Sequence, residues 1–329
     1  MSKKLIWDYD YIKYSIGAAC EKRDIIVTHS SGIEEVFKTR TEFYGHWKKK
    51  EGGWLGEYNK SADKKIDASE FTILDRQHPE PLEFCLSSVK SHIANICEKL
   101  GVNSYKGYIG RGDSWRVEAS TILKYKGTRA NMVKPVHLPA IEEYLIRQHS
   151  AEIVTFHEVD DRCVMECYKN PNNVLVFVDK DYYGVNHMIG YNVNSKELMN
   201  TGSGLGELNN TPKGVKGWGR KFFYHQILSG DSSDNYCANS ASDVRWGEMN
   251  SYNALKDCKT DKECWQNIAD SYKTLYPEPK KITGWRGDEI EIDWLYVLQE
   301  NTNLAHMLRW ENDRVVVKEL LENLDVRTD

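Results

Sequence analysis

The sequence predicts an α/β fold, with a mostly parallel central sheet flanked by helices. An apolar strand that stops on an acid recurs: Leu5 to Trp7 before Asp8, Ala151 to Phe156 before EVDD, and NNVLVFV before Asp179. Strand, acid and helix in repetition is what helical crossovers between parallel strands produce, and it leaves the acids along the C-terminal edge of the sheet. The β-branched run of NNVLVFV is also that of a strand buried on both faces. At 329 residues and 40% hydrophobic content the chain can bury a large core and divides into two linked lobes.

In chain order, Leu5 to Trp7 places Asp8 at a strand's C-terminal end, where open α/β sheets hold ligands, and a helix follows from Tyr11 to Cys20. Residues 24 to 60 alternate apolar and polar around His29 to Gly32, which predicts a β-hairpin excursion. PEPLEFCLSSVKSHIANICEKLG has helical spacing and stops at Gly101, so it is a long amphipathic helix. YKGYIG is a strand leading to Asp113, and VDDRCVMECYK is helical. The glycine-rich segment from Met188 to Trp218 reads as a hairpin and loop; TGSGLGELN lacks the strand-to-helix setting of a dinucleotide site. Beyond Asn235 helices are expected at Met249 to Lys256, Asp261 to Leu275 and Asp288 to Arg309.

Several classes are set aside. MSKKLIWDYDYIKYSIGAAC is interrupted by Asp8 and Asp10 too early for a signal or transit peptide, and no apolar run is long enough to span a membrane. The eight cysteines show no zinc-ligand spacing and read as reduced thiols of a cytoplasmic protein. The net charge of −5 conceals a segregation, because acids cluster while bases gather at Lys38 to Lys50, Lys124 to Lys134 and Lys213 to Lys221. Such a pattern suits a polyanion held by bases over a metal-loaded acidic pit, although each stretch alone also reads as a solvated face.

The acids form five clusters: DYD at Asp8 to Asp10, GRGD at Asp113, EVDD at Glu158 to Asp161, DKD at Asp179 to Asp181, and GDSSDN at Asp231 to Asn235. Like charges repel, and a fold that gathers them normally holds divalent cations. Singly, EVDD could be a helix cap, in which Glu158 and Asp161 share a face and Asp160 points aside, and GDSSDN could be a turn. DKD at the end of a buried strand has little local structural use.

Taken in order, LIWDYDYIKY, GDSWRVEASTILKYKGTR, EVDD, VLVFVDKD and ILSGDSSDN resemble the 5′-nuclease superfamily, and are most similar to bacteriophage 5′-3′ exonucleases and flap endonucleases. The resemblance covers residues 5 to 235. It implies a PIN-like nuclease core over residues 1–235, with an aromatic and basic insertion plus helix at 24–83 and an arch or clamp at 115–150, followed by a helical DNA-binding region at 236–329. It further implies a metal pit of Asp8, Asp113, Glu158, Asp160, Asp161, Asp179, Asp181, Asp231 and Asp234. Asp8, Glu158 and Asp160 would lie nearest the tighter ion and the DKD and GDSSDN acids would serve the second. Lys126 and Arg129 would act at the scissile phosphate with Arg116 in support, while Lys124, Tyr125 and Lys134 would join them in binding nucleic acid, Tyr125 by stacking on a terminal base. The implied cofactors are two Mg²⁺ ions, with Mn²⁺ able to substitute, and K⁺ in the C-terminal region. The implied substrates are DNA with 5′ single-stranded ends, flaps or nicks, and RNA/DNA hybrids, cleaved to 5′-phosphate products. A replication protein would be the partner, and the cytoplasm, the host's for a viral protein, the location.

The chain also departs from that pattern. DY stands at Asp8 where the family has DG, and Asp10 is the acid most readily a bystander. After GDSSDN there is no GVxGIG, so either the duplex is held differently or Gly247 and Ser251 begin a degenerate version, whereas HMLRWENDRVVV is similar to the tail of some phage exonucleases. Two rivals remain at this point. DYDYI also resembles the start of haloacid-dehalogenase-type phosphatases, with Asp8 as nucleophile and Asp10 as general acid, but that reading leaves EVDD and KYKGTR unaccounted for. A non-catalytic nucleic-acid-binding relative would have no use for acids that repel phosphate.

Overall fold

Leu5, Ile6 and Trp7 are wholly buried in a computed structural model that describes residues 3–46 and 52–328. They form β1 (Leu5–Asp8), which turns directly into α1 (Tyr9–Ala19). The chain continues through β2 (Glu21–His29), β3 (Glu34–Phe37), α2 (Arg40–Tyr44), α3 (Trp54–Ser61) and β4 (Phe71–Pro79). The amphipathic helix is α4 (Leu82–Leu100), and it stops where Gly101 takes φ 61°, a left-handed conformation that glycine adopts without strain. β5 (Tyr105–Ser114), α5 (Trp115–Ala119), α6 (Leu138–His149), β6 (Glu152–Phe156), α7 (Val159–Lys169) and β7 (Val174–Phe177) follow. Two hairpins come next, β8 (Ile189–Asn192) with β9 (Glu197–Asn200) and β10 (Glu207–Thr211) with β11 (Gly214–Trp218), where a single hairpin was expected. The remainder is α8 (Arg220–Ser229), α9 (Glu248–Leu255), α10 (Asp261–Leu275), β12 (Lys280–Thr283), β13 (Glu289–Ile292), α11 (Trp294–Ala305) and α12 (Val317–Asn323).

These elements form two compact units. Met1–Tyr11, Ile96–Val133 and Leu145–Asp329 make the first, and Ile12–Asn95 with Lys134–Tyr144 make the second. The expected division at residue 235 therefore does not coincide with the units, since residues 236–329 share one with the sheet.

In the first unit six strands run in the order β6-β5-β1-β7-β8-β9, and all neighbours are parallel except β8 and β9. The chain fills one side of β1 with β5 and β6, then crosses to the other with β7 and β8. That reversal makes the β1/β7 seam a switch point, and open α/β sheets bind ligands outside the C-terminal ends of such strands. Asp8 closes β1, and Asp179 follows β7 by two residues. Tyr9 fills the space next to this seam: a Cβ on Gly107 of β5 would lie 2.0 Å from its ring. The glycine missing after Asp8 is thus matched by one across the sheet. A large cluster that includes Phe222, Ile227, Trp265, Ile268, Tyr272 and Leu298 packs α8, α10 and α11 together. Here the expected helix from Asp288 to Arg309 is corrected: EIEI alternates with period two and pairs with β12, Gly287 makes the turn at φ 91°, and the helix starts after Asp293, whose carboxylate accepts the Tyr296 N–H.

In the second unit the predicted hairpin β2–β3 is present, and β4 adds a third antiparallel strand. Ile25, Val27, Phe43, Leu55, Ile66 and Phe71 form its own core. Of the basic stretch Lys38 to Lys50, residues 47–50 lie outside the described residues. The 115–150 stretch, expected as an arch or clamp, contains α5, a 3₁₀ turn at Gly127–Asn131 and α6. No helix among the described residues is long and apolar enough to cross a membrane, and all eight cysteines are free.

Candidate active site

GDSSDN closes on itself before it meets anything else. Asp231 and Tyr236 exchange backbone hydrogen bonds, Asp231 Oδ1 accepts the Ser233 N–H at 2.7 Å, and Asn235 takes φ 62°. This turn is then stitched to KYKGTR. The Lys126 N–H donates to the Asp234 carbonyl at 2.9 Å, Asn235 Nδ2 to the Lys124 carbonyl at 2.9 Å, and Arg129 to both the Ser233 carbonyl and Asp234 Oδ1, the latter at 2.7 Å. Two motifs more than a hundred residues apart in sequence are therefore one structural piece. Lys126 holds a left-handed backbone at φ 55°, uncommon for a residue with a side chain, and its ammonium pairs with Glu158.

Glu158 caps α7 and collects donors from three directions. Ser114 Oγ reaches Oε1 at 2.9 Å, while the Tyr125 hydroxyl, 3.3 Å away, and the Lys126 ammonium reach Oε2. Burial opposes its charge, but Lys126 and then Arg116 hold the carboxyl below its ordinary range. Its neighbours on the helix part company. Asp160 is pushed well above the ordinary range by burial, then by Glu158, with Asp8 and Asp179 adding to the effect. Asp161 turns away into a buried pair with Arg116, whose Nη1 and Nη2 sit 2.7 and 2.8 Å from its oxygens, and it also accepts from Trp115 Nε1 and the Leu308 N–H.

On the other side of the seam, burial and then Asp10 push the Asp8 carboxyl up to about 7. Burial and then Asp179 do the same to Asp181. Lys180 spans the DKD and GDSSDN motifs, 3.2 Å from Asp181 and 2.8 Å from Asp231. Despite burial, Lys180 holds Asp231 below the ordinary range, whereas burial keeps Asp234 above it against the pull of Lys126.

The structure thus brings Asp8, Glu158, Asp160, Asp179, Asp181, Asp231 and Asp234 into one electrostatically linked group with Lys126 and Arg129. Four expected roles are corrected. Asp113 is exposed on an irregular stretch of β5 and appears in none of the described contacts of the group, because the register shift between Gly110 and Ser114 turns it outward. Asp161 is committed to Arg116, so neither is free for a metal or a phosphate; Arg116 instead ties α5 and α7 to the Leu304 and His306 carbonyls. Tyr125 is buried, so it cannot stack on a base; its hydroxyl bonds Glu158 and Asp234. Lys134 falls in the second unit, and Lys124 is exposed with its ammonium over the Trp285 ring. Asp10 Oδ1 accepts the Gly110 N–H at 3.2 Å, a tether between α1 and β5 that suits a bystander rather than a general acid. Sequence reasoning missed Ser114, the hydroxyl role of Tyr125, Gln226, which donates to Asp181, and Lys180. Only Lys180 carried a signal, as the lone cation inside DKD.

The donor set suits hard divalent cations. Asp8 is a buried and Asp160 a half-buried carboxylate, both crowded by other acids, and oxygen-bound Mg²⁺ would relieve that crowding. Among the described residues no three His, Cys, Asp or Glu side chains already converge closely enough to hold an ion. Lys126, Lys180 and Arg129 occupy Glu158, Asp181, Asp231 and Asp234 as counter-ions instead.

Fold and cluster together define an α/β protein with a carboxylate-lined switch point. No family model matches the chain, and no curated protein matches it. Among solved structures it is similar to T5 D15 protein co-crystallised with metal ions, with a TM-score of 0.42 and 14% identity over 73% of this chain and 90% of that one. It is similar to T5 5′-exonuclease with bound zinc, with a TM-score of 0.42 and 15% identity over 73% and 88% of the two chains. The D15 flap endonuclease of bacteriophage T5 in complex with DNA and metal ions has a TM-score of 0.42 and 14% identity over 73% and 89%. At these identities the likeness is one of fold.

Proposed function

We propose that the chain is a divalent-metal-dependent nuclease that hydrolyses phosphodiester bonds from or near the 5′ ends of DNA. The observation that carries this reading is the joining of KYKGTR to GDSSDN above Glu158 and Asp160, which sets two cations beside a crowded group of carboxylates. A phosphatase built on Asp8 and Asp10 would leave that assembly without a use.

Asp8, Glu158 and Asp160 would hold one Mg²⁺ and Asp179, Asp181, Asp231 and Asp234 a second, with Mn²⁺ able to replace them; bound there, the ions supply Lewis-acid activation of water and neutralise the departing oxygen. Lys126 and Arg129 are placed to exchange their carboxylate partners for the scissile phosphate and to stabilise charge that develops on it. Tyr125 and Ser114 hold Glu158 in place while that exchange happens. DNA with 5′ single-stranded ends, flaps or nicks, and RNA/DNA hybrids, are the substrates, and 5′-phosphates the products. Residues 236–329 supply duplex contacts and a K⁺ site, and a replication protein is the expected partner. A 5′-labelled flap and a nicked duplex incubated with Mg²⁺, then with EDTA, test the reading. Cleavage that starts with Mg²⁺ and stops with EDTA is expected; metal-independent cleavage, or none beside strong phosphatase activity on a small phosphoester, overturns it.

A further inference from the structure

The basic stretch Lys213 to Lys221 divides into two halves. Its second half is used inside the fold: Arg220 Nε pairs with Asp261 at 2.8 Å, and the buried Lys221 ammonium donates to the Cys258 carbonyl at 2.6 Å. Lys213, Lys216 and Trp218 instead remain exposed on the β10–β11 hairpin, and among the described residues no carboxylate pairs with either lysine. All three line a groove of about 980 Å³, a volume at the upper end for ligand sites.

The β8–β9 hairpin also lines this groove with Asn192, Asn194 and Asn200, and α8 lines it with Phe222, His225 and Ser229. Lys180 and Gln226 also line it, and both contact Asp181. The groove therefore shares residues with the acidic cluster, and a chain lying in it would be continuous with a chain at the cluster. Its chemistry is cationic, amide-rich and aromatic. Lys216 and Trp218 stand two residues apart on β11 and so project from one face, which sets an ammonium beside an indole that is 38% exposed. Glu248 is the opposing charge, and its Oε1 accepts the Val215 N–H at 3.0 Å. Glu207 faces Trp218 across the hairpin, and Lys180 is already paired with Asp181 and Asp231, so the groove's ammonium groups without a carboxylate partner among the described residues are those of Lys213 and Lys216.

We propose that this groove takes a single strand of nucleic acid that leads to the acidic cluster, with phosphates on Lys213 and Lys216 and a base stacked on Trp218. The occupant's class rests on the nuclease reading. Ammonium groups beside an exposed aromatic ring are what sequence-tolerant strand binding uses, since every base has a face to stack and every nucleotide a phosphate.

Fluorescence anisotropy of a labelled oligothymidylate in EDTA, where no cleavage occurs, tests the groove separately from the chemistry. The Lys213→Ala/Lys216→Ala protein is expected to bind about tenfold more weakly, with a shallower dependence on salt, the slope of log K against log salt falling by about 1.4 for the pair. Trp218→Ala is expected to bind about tenfold more weakly with the salt slope unchanged. Both should keep the wild-type melting temperature. Wild-type binding by both variants overturns the proposal, as does a Lys213/Lys216-dependent preference for polyglutamate peptide over the oligonucleotide, which would assign the groove to an acidic protein partner. Loss of binding in both variants, beside a wild-type protein that cleaves nothing with Mg²⁺, would leave the groove assigned and remove only the nuclease reading.

Discussion

Glu158 and Asp160 are two residues apart on one helix, yet they face opposite electrostatic conditions. Lys126 more than offsets the burial of Glu158, whereas for Asp160 desolvation and the charge of Glu158, with Asp8 and Asp179, outweigh the same lysine. Asp160→Asn should therefore abolish turnover while raising the melting temperature of metal-free protein by a few degrees, because it relieves the repulsion of Asp160 by Glu158, Asp8 and Asp179 that Lys126 only partly offsets. Differential scanning fluorimetry with EDTA and with Mg²⁺ checks this: Mg²⁺ should stabilise the wild type and do so much less in the variant. Lys126→Ala and Arg129→Ala should mainly lower turnover, by about a hundredfold or more as for a lost charge-stabilising donor, with oligonucleotide affinity within a few fold. Single-turnover kinetics beside equilibrium binding separates the two effects. Unchanged turnover in both would remove these residues from the chemistry.

At the scale of elements, the Arg116–Asp161 pair joins α5 to α7 and to the segment that follows α11. Arg116→Met leaves Asp161 buried and unpaired and should cost about 3–5 kcal/mol; adding Asp161→Leu should recover part of that loss, as chemical denaturation would measure. Beyond α11, Asp313 is buried and accepts from His306 Nε2 at 3.2 Å and Arg309 Nε at 2.6 Å. Burial raises its carboxyl, but His306 and Arg309 more than offset this and hold it well below the ordinary range. A depressed carboxyl contributes stability above its unfolded value, near pH 4, that is lost as pH falls through the folded one. The difference in melting temperature between wild type and Asp313→Asn should accordingly be large at pH 7 and shrink below about pH 4.

The whole molecule shows what the sequence could and could not convey. Strands that stop on acids made the parallel sheet legible, and the order of the motifs made Asp8, Glu158 and Asp160 legible as a group. Asp161 could not be told from Asp160, because adjacent residues at a helix start differ only in rotation about the axis, and which one faces the sheet depends on how α7 docks. Tyr125 was misread for a related reason: KYKGTR looks exposed until GDSSDN closes over it. β4 escaped notice because its partner β2 lies about fifty residues earlier and the pairing is non-local. The same pairing gives the second unit a core of its own, so Phe43→Ala should cost about 3–5 kcal/mol there. Hydrogen exchange should then quicken in β2, β3 and β4 while β1 and β7 keep their protection.

The fit of Tyr9 over Gly107 constrains the paths open to this chain under mutation. Any side chain introduced at residue 107 must collide with the ring, and Tyr9→Gly alone would leave a void of ring size beside β1. Either of those single steps is harmful, and only a paired change, small at 9 with bulk at 107, restores the packing. Directed evolution from this sequence should therefore recover bulk at residue 107 only together with a small residue at 9, whereas Tyr9→Phe, which keeps the ring and removes a buried hydroxyl without a partner among the described residues, should be accepted alone.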